Sequence, residues 1–381
     1  TINTNKEEVY LMKIRLETIQ KPCSTISAAV DAKSISQLTE VLELEVVENV
    51  LQISVTNKEY FVTVSVPVDD PDTLHATVDA ELFTKLISKI TTEFVELSVT
   101  DKFLVVKGNG TYKLPLIFED SVMMVLPKIE VNNVVSEFDI SSDILNSIMN
   151  SNSRQLDVGV ISNAVQKYFY IDKKGAITFT SGATVNNFGL PDDVKLLLNS
   201  RIVKLFKLFE NENVHFRYGT EKLSDEIIQT RMSLTTPTVS LFAILSCDDT
   251  MLKSVPVDRI RGLASDELPY TVSIPRSNLL ETLERFSLFS QDAMLSSACL
   301  EFNRDSLAVS DSKKNSTEKV QYENPNNEIS EPYSTMIDII ELTKMLDSNR
   351  TKNVHISFGN NSAILLISGN VTNVIPEIRI Q

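Results

Sequence analysis

No stretch of this sequence provides for a membrane. Its 381 residues contain no apolar run long enough to cross a bilayer. The opening Thr1–Tyr10 is polar and mixed in charge, where a secretory signal would be basic and then apolar. Cysteine is scarce. Cys23, Cys247 and Cys299 are odd in number and far apart, which predicts buried small apolar residues in a reducing, cytoplasmic setting and not a disulfide framework. Catalytic signatures are missing as well: there is no Gly-rich Lys-Ser/Thr phosphate loop and no His-Glu-x-x-His. Gly108-Asn109-Gly110 lies between two alternating apolar runs and reads as a hairpin turn, not a nucleotide loop. His75, His215 and His355 are isolated from one another in sequence. Asp69-Asp70 and Asp192-Asp193 read as solvated turns, because carboxylate pairs without a neighbouring His or Gly-rich strand end do not nominate an active site. No catalytic residue, metal or cofactor is expected, and the chain is not expected to be an enzyme. Net positive charge is also lacking: the balance is −15, which on its face argues against nucleic acid, although where the charge lies matters more than its sum.

What the sequence does contain is repetition. Thr77–Val99 aligns without a gap on Met336–Phe358. Asp79 falls on Asp338, Phe83 on Leu342, Thr84-Lys85 on Thr343-Lys344, and Val95, Leu97 and Val99 on Val354, Ile356 and Phe358. In both copies a helical spacing of apolar residues gives way to strict alternation, so each reads as a helix followed by a half-buried strand. Further alternating runs follow at Phe103–Val106 and Ile364–Ile367. The repeating unit is therefore strand, helix, hairpin.

The same pattern can be followed along the whole chain. Helices are predicted over Leu16–Val30, Asp79–Ile90, Ser141–Gln155, Val194–Phe209, Pro275–Gln291 and Met336–Lys352. Pro22 predicts a kink or a late start in the first. Short alternating strands are predicted around them, Val158/Val160 included, with linkers at Val131–Glu137 and Leu263–Pro269. His215 and His355 occupy equivalent places, in Val214-His215-Phe216-Arg217 and Val354-His355-Ile356-Ser357, which points to structure and not metal. Six units of roughly sixty residues are too small to hold cores alone, so they should pair. The expected fold class is α+β: three pairs, each with two helices on one face of antiparallel sheet.

Taken together, the opening Met12-Lys13-Ile14, the Val78–Val106 half-unit, Val255-Pro256-Val257-Asp258-Arg259 and the closing Val374-Ile375-Pro376-Glu377-Ile378-Arg379-Ile380 resemble the bacterial-type DNA sliding clamps, the DNA polymerase III beta subunit family and its phage relatives. The resemblance covers essentially the whole chain and lies in order and spacing. It implies three tandem clamp-type domains (1–131, 132–265 and 266–381), forming a homodimeric ring around duplex DNA with helices lining the hole. Its implied partners are double-stranded DNA held without sequence preference, a DNA polymerase, a clamp loader and a second copy of the chain. Charge offers an independent check: the six helix windows hold thirteen Lys/Arg against nine Asp/Glu, +4, which leaves −19 for the rest.

Within the fourth window Leu198, Ile202, Leu205, Phe206 and Phe209 share a face at 3.6 spacing, with Arg201, Lys204 and Lys207 opposite. These three are the first candidates for DNA contact, against the plainer reading of a solvated basic face. Lys85 and Lys89 are a weaker pair; Arg154, Arg276 and Lys344 are weaker still. The resemblance further implies a partner-peptide pocket at Phe169, Thr180, Gly182, Val185, Leu263, Ile375, Pro376 and Ile378. The family's usual His-Arg pair is absent from Ser181-Gly182-Ala183-Thr184, which puts peptide preference in question. It also implies a ring seam at Tyr112, Leu114, Leu288 and Phe289. A β-rich structural protein without DNA binding is the alternative from another class, and a trimeric clamp of two-part subunits is disfavoured by three paired repeats.

Overall fold

In a computed structural model of the chain, the described residues are 11–30, 36–68, 73–158, 161–224, 228–246, 248–288, 297–311, 314–324, 329–359 and 363–378. Phe289, Cys247, Asp69-Asp70, Val160, Arg379 and Ile380 lie outside them. Contacts group the chain into two units, 1–142 with 205–245, and 143–204 with 246–381.

Six times among the described residues a strand runs directly into a helix: Leu11–Arg15 into Leu16–Ser27, His75–Asp79 into Ala80–Lys89, Val134–Ser141 into Ser142–Ser147, Lys195–Asn199 into Ser200–Lys204, Tyr270–Pro275 into Arg276–Ser287, and Tyr333–Asp338 into Ile339–Ser348. At three of these junctions an Asx side chain caps the helix. Asp79 accepts from the Leu82 N–H at 2.6 Å, Asn199 from Ile202 at 3.0 Å, and Asp338 from Ile340 at 2.8 Å. Each cap occupies one of the amides that a helix start leaves without an intrahelical acceptor. The Asp79–Asp338 equivalence read from the repeat is therefore an equivalence of caps.

The strand that opens a unit does not pair with its own hairpin. Leu11–Arg15 pairs with Phe94–Val99, which follows the other helix of the pair, and His75–Asp79 pairs with Val41–Val47. Tyr270–Pro275 and Tyr333–Asp338 make the same exchange, with Asn353–Phe358 and Ser297–Phe302. Each half-unit thus completes its partner's sheet, which is how segments too small for a core of their own become one folding unit. The sheets are antiparallel. Among the described residues one is a two-stranded ribbon, two have four strands, and two have eight, each of the last formed where two four-stranded halves meet edge to edge. In the first unit Tyr60–Pro67 pairs with Val239–Leu245; in the second Ala183–Asn187 pairs with Thr372–Pro376.

Several expectations are corrected. Val194–Phe209 is not one helix: Lys195–Asn199 is a strand paired with Tyr168–Asp172, and the helix begins only at Ser200. Leu196, Leu197 and Leu198 are all buried, as in a strand covered on both faces, where period alone does not separate strand from helix. The expected linker at Val131–Glu137 is strand from Val134 onward. Val158 lies in a bend after a helix and not in a strand. The helix Leu16–Ser27 starts without delay and runs through Pro22. The Ser142–Leu156 segment contains a wide-turned stretch at Ile148–Asn152. Cys23 and Cys299 are buried, and burial pushes the Cys23 thiol up to about 12. Among the described residues no helix is long and apolar enough to cross a membrane.

Candidate functional site

The eight-stranded sheet of the second unit has two faces of opposite character at its midline. Toward the helices, Thr184 faces Asn373 across the strand pair, and the Asn373 amide donates to Thr184 Oγ1 at 2.8 Å. Asn373 Oδ1 in turn accepts from Asn349 at 2.7 Å and from Ser348 at 3.1 Å, while Gln155 donates to Thr180 at 2.7 Å. Glu341 is buried in this layer and accepts from the Ser181 hydroxyl at 3.2 Å. Burial holds its carboxyl above the ordinary Glu range, with the Ser181 and Gln155 bonds only partly offsetting it.

The opposite face is apolar. Tyr170, Ile177, Ala183, Val185, Leu197, Ile364, Leu366 and Val374 form one buried cluster. Two short helices, Asp249–Ser254 and Val257–Ala264, pack on it and leave Met251, Leu252, Val257, Leu263, Phe179 and Leu268 only partly covered. Asp248 caps the first of them, accepting from the Met251 N–H at 2.7 Å. Arg261 on the second forks onto Asp172 with 2.7 and 2.6 Å bonds. Burial pushes the Asp172 carboxyl up, but the Arg261 bonds, the Lys174 amide and the Arg261 charge outweigh it and hold the group below its ordinary value. Burial, and after it the charge and hydrogen bond of Asp172, raise the Tyr170 phenol to about 12 against the opposing Arg261 charge.

The residues expected to form a peptide pocket divide between these faces. Val185 and Leu263 meet in the outer apolar cluster, and Pro376, opposite Ile364, shares that side of the sheet. Gly182 lies beside Pro376, and a Cβ there would fall 2.4 Å from the Val374 carbonyl oxygen, so the close approach of the two strands requires glycine. Phe169, Thr180 and Ile375 are buried one residue out of phase, away from the outer cluster. Ile378 adds a bridge, its N–H donating to the Met336 carbonyl at 2.7 Å. Sequence reasoning passed over Tyr170, Phe179, Val374 and the two packing helices. The alternation Tyr168/Tyr170 and Ile177/Phe179 carried the signal for the first two.

Each basic candidate is on a surface. Arg201 and Lys204 are exposed on the Ser200–Lys204 helix, and Lys207 is exposed in the three-residue-per-turn segment Leu205–Leu208 that follows. Their apolar neighbours Ile202, Leu205, Phe206 and Phe209 are buried, as the sequence pattern required. Lys85 pairs with Glu81 on an exposed helical turn, Lys89 is exposed at that helix's end, and Arg154 is half-buried. Within the first unit Lys207 and Lys21 line one cleft, and Lys21 and Lys85 another.

The seam candidates lie on and beside open sheet edges. Thr111–Pro115 is the outer strand of one four-stranded sheet, with Tyr112 38% exposed and Leu114 buried. Thr317–Gln321 is the outer strand of the other. Leu288, 67% exposed, ends the helix that packs beside it.

With this topology in view, the solved structures it matches can be named. A DNA polymerase III beta subunit from Pseudomonas aeruginosa superposes with a TM-score of 0.78 at 15% identity, covering 97% of this chain and 100% of that one. The chain has the fold of the DNA polymerase III beta subunits. The corresponding protein of Thermotoga maritima gives 0.76 at 14% identity over 97% and 100%. A beta clamp from Helicobacter pylori, solved bound to a DNA ligase peptide, gives 0.74 at 15% over the same shares. No protein-family model and no curated protein matches the sequence itself.

Proposed function

We propose that the protein is a DNA polymerase processivity factor: a non-enzymatic sliding clamp whose two copies close a ring around duplex DNA and tether a polymerase. The observation that carries this reading is the beta-subunit fold followed over 97% of the chain. On it, the three pairs of exchanged half-units are three domains, at 1–131, 132–265 and 266–381. The midlines of the eight-stranded sheets are their junctions. The free edges Thr111–Pro115 and Thr317–Gln321 pair with those of a second copy, since an unpaired edge strand is a template for another chain. Tyr112, Leu114, Leu288 and Phe289 belong to that seam.

Arg201, Lys204, Lys207, Lys85, Lys89 and Arg154 contact phosphates. Such contacts are without sequence information, and few of them suit sliding. The outer apolar face around Val185, Leu263 and Pro376 takes short peptides of the polymerase and the loader. Partly covered apolar side chains in a groove supply most of the energy of such docking. The setting is the cytoplasm.

Primer extension on circular DNA, with the polymerase and loader of the protein's own replication system, tests the reading. Long products with the wild type, shortened by Arg201→Glu, Lys204→Glu and Lys207→Glu together, are expected. No lengthening with the wild type, with a monomeric mass at high concentration, would instead favour a structural protein.

A further inference from the structure

Beside the outer apolar face lies a cleft of about 470 Å³ whose charge runs against that of the chain. Six of its lining residues are Lys or Arg and two are Asp, in a protein of net charge −15. Arg261 is committed to Asp172. Lys173 and Lys253 reach exposed partners, Asp192 at 3.2 Å and Asp249 at 3.9 Å. Among the described residues the side chains of Lys174, Lys195 and Arg259 make no ion pair, and all three are exposed. They come from three elements, the turn after Tyr168–Asp172, the strand Lys195–Asn199 and the helix Val257–Ala264, and converge on one concavity. The cleft's apolar wall is Tyr170, Leu252, Val255 and Val257, which belong to the same outer cluster as Val185 and Leu263.

From this continuity we propose that the cleft receives acidic residues flanking the apolar anchors of a docked partner peptide, so that the occupant of this face is an extended acidic-apolar segment. The inference rests on the reading of the outer face as a peptide-docking surface and adds the partner's charge. Complementary charge outside an apolar anchor raises the encounter rate and rejects neutral or basic competitors. A single-stranded nucleic acid fits less well. It needs exposed rings for base stacking, and the cleft's one ring, Tyr170, is buried in the cluster.

The test begins with a random peptide array probed with the whole protein. The best apolar core is then made twice as labelled peptides, flanked by four aspartates or by four asparagines, and their affinities are measured at 50 and 300 mM salt. The aspartate peptide should bind about tenfold tighter at low salt, an advantage that shrinks with salt. The triple change Lys174→Glu, Lys195→Glu, Arg259→Glu should abolish that advantage while leaving the asparagine peptide's affinity and the melting curve unchanged. Equal binding of the two peptides would overturn the acidic preference and leave peptide docking standing. An array with no binders would overturn both. Tight binding of an oligothymidylate probe, lost in the triple variant, would assign the cleft to nucleic acid instead.

Discussion

The two eight-stranded sheets join their halves in the same way and seal the joint differently. In the first unit the inner side of the joint is apolar, with Val62 against Leu241 and Val64 against Val239. In the second it is polar, with Thr184 against Asn373 and a buried Asn, Gln, Ser and Glu layer above them. The outer sides differ too. In the first unit Phe61 is buried and Phe242 half-buried against an extended connecting segment that contributes Ile117, Met124, Leu126 and Ile129 and is tied down by backbone bonds such as Ile117 N–H to Thr77 O at 2.9 Å. In the second the connecting segment forms two short helices that leave apolar side chains half covered. An apolar joint is tolerant of partner and register, whereas a polar one is stable only when every group meets its match.

The contrast can be broken by mutation. The largest effect is expected from Leu241→Ala, which opens a cavity in the apolar joint and should cost about 2–5 kcal/mol in urea unfolding. Asn373→Leu in the polar joint should cost about 1–3 kcal/mol, because Asn349 and Thr184 lose their partner. Adding Thr184→Val should then recover part of that cost. An additive loss would mean that the two residues do not act as a pair.

Glu341 sharpens the comparison through pH. Its folded carboxyl is held above the ordinary value, so the folded state keeps its proton longer than the unfolded state. The stability this contributes is full below the ordinary Glu range and is lost as pH rises through the raised folded value. Glu341→Gln cannot ionise, so its unfolding free energy should gain on that of the wild type between pH 4.5 and 7.5. Parallel curves would contradict this. The smallest effect on stability, about 1 kcal/mol or less, is expected from Leu263→Ser on the half-covered face, together with at least a tenfold loss of peptide binding by fluorescence anisotropy.

Much of this architecture is written locally. The Thr77–Val99 and Met336–Phe358 copies display their cap, helix and strand in residue order, because Asp79 and Asp338 stop the strand phase and the apolar period changes after them. Asn199 does the same at the fourth junction, but Leu196–Leu198 directly before it are apolar without interruption. A strand buried on both faces has no alternation to display. The exchange of opening strands was not legible either, since it is decided by which hairpin an edge meets and not by the edge's own sequence.

At the candidate site the residue neighbourhood was visible, but not which face each side chain takes. A slip of one residue in a strand moves a side chain to the other face, which separates Phe169 and Ile375 from Tyr170 and Val374. The exposure of Arg201, Lys204 and Lys207 was legible although the helix starts later than the apolar spacing predicts. Their spacing of three keeps them outward both in the helix and in the tighter turns that follow it.

The central claim, a closed ring on DNA, is tested most directly by topology. Lys113→Cys on the Thr111–Pro115 edge and Lys319→Cys on the Thr317–Gln321 edge are combined in one chain, and the protein is loaded on a nicked circular plasmid and joined with a short bismaleimide. If two copies close around the duplex, a denaturant-resistant protein–DNA species should form and be released when the circle is cut once. Cross-linked dimer that never stays with the circle, or protein held equally by linear and circular DNA, would contradict the ring.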